Sequence, residues 1–283
     1  MNYNEFRNLF KRSKTVEFIA RNLAWPLFEW QHLKSDYAAW RRKHGRIDKR
    51  YLWLKECRNK YKGERCFIVA TGPSLLISDL DMLKNEYTFA MNSCILALDK
   101  TEWRPTFYGI EDEYVYEKLE SAILNNTQLD IIVSDTIADL YKTPESFKVF
   151  PLHYLDHKMY HFKGCGKFKY SDDCYSIVGD GYSITLSLLQ IACHMGFSEI
   201  YLLGCDCNYN QPKQHFIESG HFDPKAHLMG SKLIQAHREF KKFADSIGVK
   251  VFNSTRGGML EEYPRINLDD VLQKNVKKGL DNE

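Results

Sequence analysis

The sequence lacks any uninterrupted apolar run of the ~18–20 residues that a membrane-spanning helix needs. Its start, Met1–Lys14, mixes basic and acidic residues with no apolar stretch leading to small residues, so it does not read as a secretory signal. Eight cysteines are present, at 57, 66, 94, 165, 174, 193, 205 and 207, and no pair has CxxC spacing. That excludes the familiar zinc and disulfide frameworks and leaves reduced thiols in a cytoplasmic protein as the simplest expectation. Neither GxGxxG nor GxxxxGK[ST] occurs, so the dinucleotide and Walker loops are absent. With 8 prolines and 16 glycines the chain is no collagen-like repeat.

What is present is a chain of 283 residues, 44% apolar and 27% charged, enough for a large globular domain with an extension. A net charge of +2 hides an asymmetry. Residues 1–65 carry +10 and the rest carries −8. Four of the five tryptophans, Trp25, Trp30, Trp40 and Trp53, lie in the basic part. Residues 1–62 read as a helical extension with breaks at Trp25-Pro26 and Gly45. Its basic run, Arg41, Arg42, Lys43, Arg46, Lys49 and Arg50, suits either a membrane-surface arm or a helical annex with solvated charges. No recognition motif points to nucleic acid.

From Arg65 onward, short apolar runs alternate with helical stretches. RCFIVA at 65–70, YTFAM at 87–91, TFYGI at 106–110, LDIIV at 129–133, 148–152, EIYLL at 199–203 and 249–252 read as strands. Leu75–Leu83, Glu113–Leu124, Ser183–Met195 and Pro224–Ile247 read as helices, the last two from apolar residues at 3.6-residue spacing. Residues 153–180 have little pattern and read as a long loop or lid. The alternation predicts an α/β fold, a Rossmann-like, doubly wound and mainly parallel sheet, over residues 63–272, with a polar tail at 273–283. Ligands of such sheets bind beyond the strands' carboxyl ends, near a switch in strand order. The residues predicted there are polar: Thr71–Ser74, Asn92, Glu111/Asp112, Ser134/Asp135, Asp206 and Asn253–Thr255. Turn and cap chemistry also puts polar residues at these ends.

Several of these groups can carry chemistry. In Thr71-Gly72-Pro73-Ser74, Gly72 permits close backbone approach, Pro73 suits a helix start and Ser74 adds a hydroxyl, so this turn is a candidate phosphate loop. An ordinary strand–turn–helix cap fits it equally. Asp206, at a central strand end, needs partners to be tolerated and is a candidate for ribose, acceptor or metal contact. His221, in a loop with Asp223, is the candidate general base, with His215 its nearest competitor. His194, His227 and His237 read as packed or solvated helix residues. Tyr182 and Tyr209 flank the cleft, and Arg256-Gly257-Gly258 offers a cation or simply a turn.

ATGPSLL at 70–76, MNSC at 91–94, SITLSLLQIACHMGFSEIYLLGCD at 183–206, GHFDP at 220–224 and NSTRGGMLEEYPRINLDD at 253–270 resemble the bacterial MptE-like proteins. These are similar to the archaeal 6-hydroxymethyl-7,8-dihydropterin diphosphokinase, and the motility-associated glycosyltransferases share the domain. The resemblance spans residues 64–270 and implies a role in surface-glycan (polysaccharide) biosynthesis. The same motif order is similar to the small bacterial sialyltransferases, which use CMP-sialic acid without a metal. Their loop, Cys-Asn pair, strand end and His-Tyr pair correspond here to Gly72, Pro73 and Ser74, to Asn92, to Asp206, and to His221 followed by Phe222. Thr71 stands where their loop has Asn, and their Thr-Ser-Gly nucleotide contact is met only loosely near Gly181–Thr185.

The resemblance therefore implies a glycosyltransferase whose donor is a nucleotide-activated sugar, CMP-linked if it follows the sialyltransferases. His221 and Asp206 are its implied catalytic residues. Gly72, Pro73, Ser74, Asn92, Ser183 and Tyr209 are implied nucleotide contacts, with Asp112, Thr185, His215 and Arg256 as further candidates. No metal or cofactor is required on this reading. The diphosphokinase alternative requires ATP and Mg²⁺, with Asp112 and Asp206 as ligands, and a third reading is a non-catalytic nucleotide-sugar-binding subunit. The implied partners are a nucleotide-sugar donor, a glycan or lipid-linked acceptor, and the inner membrane surface met by residues 1–62.

Overall fold

The structure is a computed structural model that describes residues 14–153, 168–209, 213–218 and 229–273, with backbone alone at 14–25 and 27–29. Helix α1 (Lys14–Lys43) leads through Gly45, at φ 99°, and a 3₁₀ turn (Lys49–Tyr51) into α2 (Leu52–Cys57). The expected break at Trp25-Pro26 does not occur, because α1 runs through Pro26. Pro26 is exposed, so water can satisfy the carbonyl its missing N–H would have met.

Seven strands form the central sheet: β1 (Arg65–Val69), β2 (Thr88–Met91), β3 (Phe107–Ile110), β4 (Asp130–Ser134), β5 (Lys148–Phe150), β8 (Glu199–Leu203) and β9 (Lys250–Asn253). Every pairing is parallel, in the order β5-β4-β3-β2-β1-β8-β9. A separate two-stranded parallel sheet pairs β6 (Leu152–His153) with β7 (Val178–Gly179). The helices between strands are α3 (Ile77–Met82), α4 (Glu113–Leu124), α5 (Asp135–Leu140), α6 (Ile184–His194) and α7 (Met229–Ser246). The strands read as nearly continuous apolar runs because both sheet faces are covered. All eleven residues of α6 are buried, since it lies between strands β1–β3 on one side and β7 and α7 on the other. This is the doubly wound, Rossmann-like arrangement that the alternation predicts. The chain adds strands outward from β1 to β5, then returns to place β8 on the other side of β1. The switch in strand order therefore falls between β1 and β8.

Part of the expected N-terminal extension belongs to the core. Tyr51, Leu54 and Cys57 are buried among the strand residues, and Trp53 Nε1 donates to the Val149 carbonyl at 2.6 Å. His194 of α6 reaches the Leu54 carbonyl through Nε2 at 2.6 Å. Packing thus ties residues 49–57 to the domain, and the described part of α1 reaches it through groups that include the Arg42 guanidinium on the Ser176 carbonyl at 2.7 Å. Helix α5 and the β6–β7 pair were not anticipated, because six residues and two residues are too short for a periodic signal. Among the described residues no helix is long and apolar enough to cross a membrane.

Candidate functional site

At the switch point the ends of β1, β2 and β8 and the start of α6 enclose a recess of about 90 Å³. Gly72, Pro73, Asn92, Ser183, Thr185, Asp206, Tyr209 and His215 all line it, so eight of the residues singled out from the sequence meet in one place. Ser74 joins them indirectly, since its hydroxyl donates to Asp206 Oδ2 at 2.8 Å. His221 and the 220–224 motif lie outside the described residues.

Gly72 is required here by contact. A Cβ on Gly72 would stand 1.9 Å from Asp206 Oδ2 and 2.4 Å from the Gly204 carbonyl oxygen. Its N–H donates to that same carbonyl at 2.8 Å, and Ala70 N–H donates to Leu203 O at 2.8 Å. The turn after β1 therefore extends the ladder to β8 and seats the Asp206 carboxylate. This corrects the phosphate-loop expectation in two respects. Helix α3 begins only at Ile77, because Leu76 is extended (φ −118°, ψ 154°), so Pro73 does not open it. Its first turn is already occupied by Asp79, which accepts from Leu76 N–H at 3.0 Å. Asp79 is also bound by Arg256, whose guanidinium nitrogens Nη1 and Nη2 each donate to one carboxylate oxygen. Arg256 is thereby spent on a buried carboxylate and does not line the recess.

The helix that does aim its N-terminus at the recess is α6. Ser183 caps it, accepting from Thr185 N–H at 3.2 Å, and both residues line the cavity. Leu186 N–H donates to the Ser183 carbonyl at 2.9 Å, and the helix N-terminus as a whole carries partial positive charge. Across from it, Asn92 Oδ1 is shielded from solvent without a hydrogen-bond partner among the described residues. Backbone strain concentrates at the same place. Asn92 (φ 46°), Tyr182 (φ 69°) and Cys207 (φ 50°) are non-glycine residues in the left-handed region. Asn tolerates that conformation, but Tyr and Cys hold it at a cost of ~1–2 kcal/mol each.

Burial pushes the Asp206 carboxyl above its ordinary range, and the Ser74 hydroxyl and N–H partly offset this. Burial also raises the Tyr209 phenol, which keeps its proton. His237, expected to be a packed or solvated helix residue, is buried and also lines the recess, and desolvation pushes it down to about 3. It stays neutral, held by the Tyr263 hydroxyl at 3.0 Å from Nδ1. His215 Nδ1 lies 3.2 Å from Thr71 Oγ1, and Phe216 N–H donates to Thr71 O at 3.0 Å, so the 213–218 segment is fastened to the β1 turn.

The remaining predicted rim groups separate from this cluster. Asp112 caps α4, accepting from Tyr114 and Val115 N–H at 2.9 and 3.0 Å, which fixes it as a structural carboxylate away from the recess. Ser134 caps α5, and Asp135 accepts from Tyr51 OH at 3.0 Å and Leu152 N–H at 3.2 Å, tying down the N-terminal segment. Asn253 and Thr255 hold the turn after β9, Asn253 accepting from Thr255 N–H at 3.0 Å. Glu111 is different. It accepts from the Ser187 hydroxyl at 2.6 Å, and burial together with the neighbouring Asp180 carboxylate drives it well above the ordinary carboxylate range. The sequence placed Glu111 at a strand end but gave no sign of Asp180, which reaches it only through the fold.

The MAf glycosyltransferase from Magnetospirillum magneticum AMB-1 is a solved structure similar to this chain, at 16% identity and a TM-score of 0.46. The similarity covers 78% of this chain and 38% of that one, so the chain spans well under half the length of that protein. No curated protein matches the chain. The model of the family described as 6-hydroxymethylpterin diphosphokinase MptE-like matches residues 47–212, more than half of the sequence and nearly all of the elements that build the recess. The chain belongs to the MptE-like family.

Proposed function

We propose that the chain is a transferase of the glycosyltransferase kind, taking a sugar from a nucleotide-activated donor, CMP-linked in our reading, for surface-glycan assembly. The observation that carries this reading is the convergence at the β1/β8 switch point of a capped helix N-terminus, an unpartnered Asn92 oxygen and a carboxylate seated by Gly72. A recess of about 90 Å³ is smaller than the roughly 300–1,000 Å³ of a full ligand pocket. It seats the phosphate-bearing part of a nucleotide, with the α6 N-terminus as the anion site. Asn92 Oδ1 accepts from a hydroxyl or amine of the nucleotide, and Asp206 accepts from a ribose or acceptor hydroxyl.

In the transfer step the acceptor oxygen bonds to the anomeric carbon as the carbon–oxygen bond to the donor phosphate breaks. His221 takes the acceptor proton. The nucleotide leaves with the bonding electrons, its charge met by the α6 N–H groups and the Tyr209 hydroxyl. His221→Ala is expected to cut turnover by a factor on the order of 10²–10⁴ with nucleotide binding retained. Equal turnover in that variant, with loss in His215→Ala, moves the base to His215. No metal is needed in this scheme.

The family description supports a second reading, diphosphate transfer from ATP with Mg²⁺. The Asp112 ligand it first offered is a helix cap, so the candidate carboxylates for it are Glu111, Asp180 and Asp206. A melting-temperature panel of CMP, UDP, GDP and ATP, with Mg²⁺ or with EDTA, separates the readings. A ligand at 100 times its Kd stabilises by about 2.7 kcal/mol. Stabilisation by CMP in EDTA supports sugar transfer, and stabilisation by ATP only with Mg²⁺ supports diphosphate transfer.

The partner side of the proposal rests on α1. Trp30, Leu33, Tyr37 and Trp40 recur every three or four residues, and each is more than half exposed. Lys34 stands over Trp30 at 5.3 Å and Arg41 over Tyr37 at 5.7 Å. Aromatic rings alternating with cations on one helix face fit the headgroup layer of an anionic membrane. We place the protein in the cytoplasm, peripheral on the inner membrane face, where a lipid-linked acceptor is found.

A further inference from the structure

Away from the switch-point recess, one cluster joins α1 to the domain through ligand-type side chains. His32 and Asp36 sit one turn apart on α1, so their side chains share a helix face. His32 Nδ1 lies 3.3 Å from Asp36 Oδ2. His153, buried at the end of β6, brings its Nε2 to 3.7 Å from Asp36 Oδ1. The two imidazole rings meet edge to face with centroids 4.7 Å apart. One ligand atom from each of the three residues lies within 4.8 Å of the other two.

Those separations carry chemical meaning. Zinc bonds of ~2.0–2.1 Å at a tetrahedral angle hold neighbouring ligand atoms ~3.4 Å apart. His32 Nδ1 and His153 Nε2 already stand 3.3 and 3.7 Å from the two different oxygens of Asp36, near that value, and χ rotation can turn one carboxylate oxygen toward both rings. Two neutral imidazoles with one carboxylate form a borderline set that suits zinc, cobalt or nickel over magnesium or calcium. Lys169 Nζ, 2.9 Å from Asp36 Oδ2, is the competitor for that carboxylate, and its side chain is 48% exposed. An ion pair of that kind is weak, and the lysine can swing into water. Asp36 and Lys169 also line a second cavity of about 460 Å³, bordered by Phe168, Tyr170 and Phe243. That cavity gives an ion a route in and leaves room for water at the fourth position.

We propose that His32, Asp36 and His153 form a zinc-class metal site that pins helix α1 to the domain. The site is independent of the nucleotide recess, shares no residue with it, and has no part in the transfer step. Its consequence is geometric: metal binding fixes the direction in which α1 presents its aromatic face.

The test uses the full-length protein freed of metal with EDTA and dialysed, then titrated with ZnCl₂ by calorimetry. One equivalent is expected to bind and to raise the melting temperature. His32→Gln and Asp36→Asn, both on α1 and neither fully buried, are expected to weaken binding at least tenfold, and Lys169→Met to leave it equal or tighter. His153→Ala serves as a third variant only if its circular dichroism matches wild type. Because buried thiols also bind zinc, Co²⁺ is the second probe. Visible d–d bands without a sulfur charge-transfer band in the near ultraviolet support the site. A sulfur charge-transfer band, no stoichiometric zinc binding by wild type, or equal binding by His32→Gln and Asp36→Asn would each overturn it.

Discussion

Two regions of the molecule depart from the ordinary division of apolar inside and polar outside, and they do so in opposite senses. At the switch point, polar and charged groups are buried: Asp206, Thr71, Thr185 and His237 are all under a tenth exposed. On α1, large apolar groups are exposed, from Trp30 to Trp40. Scattered exposed leucines need no explanation, but a buried polar cluster built around a carboxylate and a continuous exposed aromatic stripe do. The first makes sense as a place completed by a polar ligand, the second as a face completed by an apolar partner. Residues 49–57 sharpen the contrast. They share the basic, tryptophan-bearing composition of α1, yet Trp53 and Leu54 of this strap pack into the core, where β5 supplies the Val149 carbonyl to the Trp53 N–H and α6 brings the His194 imidazole to the Leu54 carbonyl.

The largest expected effect tests whether that strap is core. Leu54→Ala removes a fully buried side chain and is expected to cost about 2–5 kcal/mol by chemical denaturation. A cost under ~1 kcal/mol would return residues 49–57 to the status of an annex. Next comes Gly72→Ala, whose methyl group has no room beside Asp206 and the Gly204 carbonyl. About 1–3 kcal/mol of stability should be lost, together with nucleotide affinity measured by calorimetry. Wild-type affinity in that variant would detach the recess from nucleotide binding.

A smaller effect has the opposite sign. Glu111 carries a raised carboxyl because of burial and Asp180, so its charge opposes folding at neutral pH. The folded state holds that proton more tightly than the unfolded chain. The associated stability is therefore complete below the ordinary value of 4.5 and is lost as pH rises through the folded value. Glu111→Gln should raise the melting temperature by a few degrees at pH 7.5, and the gain should shrink toward pH 4. A fall in melting temperature at pH 7.5 would show that the charge is compensated. The smallest expected change in stability is at Trp40→Ser on α1, within ±0.5 kcal/mol. The same variant should lose binding to phosphatidylserine-containing vesicles in sedimentation. Unchanged vesicle binding would leave the aromatic face without a lipid partner.

Much of the fold was legible because a parallel sheet covered on both faces must write its strands as short apolar runs, and all seven central strands correspond to such runs. The site was partly legible for the same reason: strand ends in this fold are places, so Asn92 and Asp206 could be named together before their distance was known. What stayed hidden depends on groups far apart in the chain. Gly72 serves to admit Asp206, Asp79 consumes Arg256, Asp112 caps a helix, and Glu111 meets Asp180 only after folding. Sequence chemistry alone assigns each of these a role, and the competing partner then decides it. Pro26 misled in a simpler way, since one missing hydrogen bond on an exposed helix face does not stop thirty residues of helix.

A single ligand seated at the β1/β8 switch point is what the proposed function requires above all. Hydrogen exchange read by mass spectrometry, with and without the nucleotide that most raises the melting temperature, tests this directly. Joint protection is expected at 71–75, 92–94, 183–186 and 205–209, segments far apart in the chain that meet around the recess. Protection confined to other surfaces, or spread to just one of these four segments, would contradict a nucleotide site there.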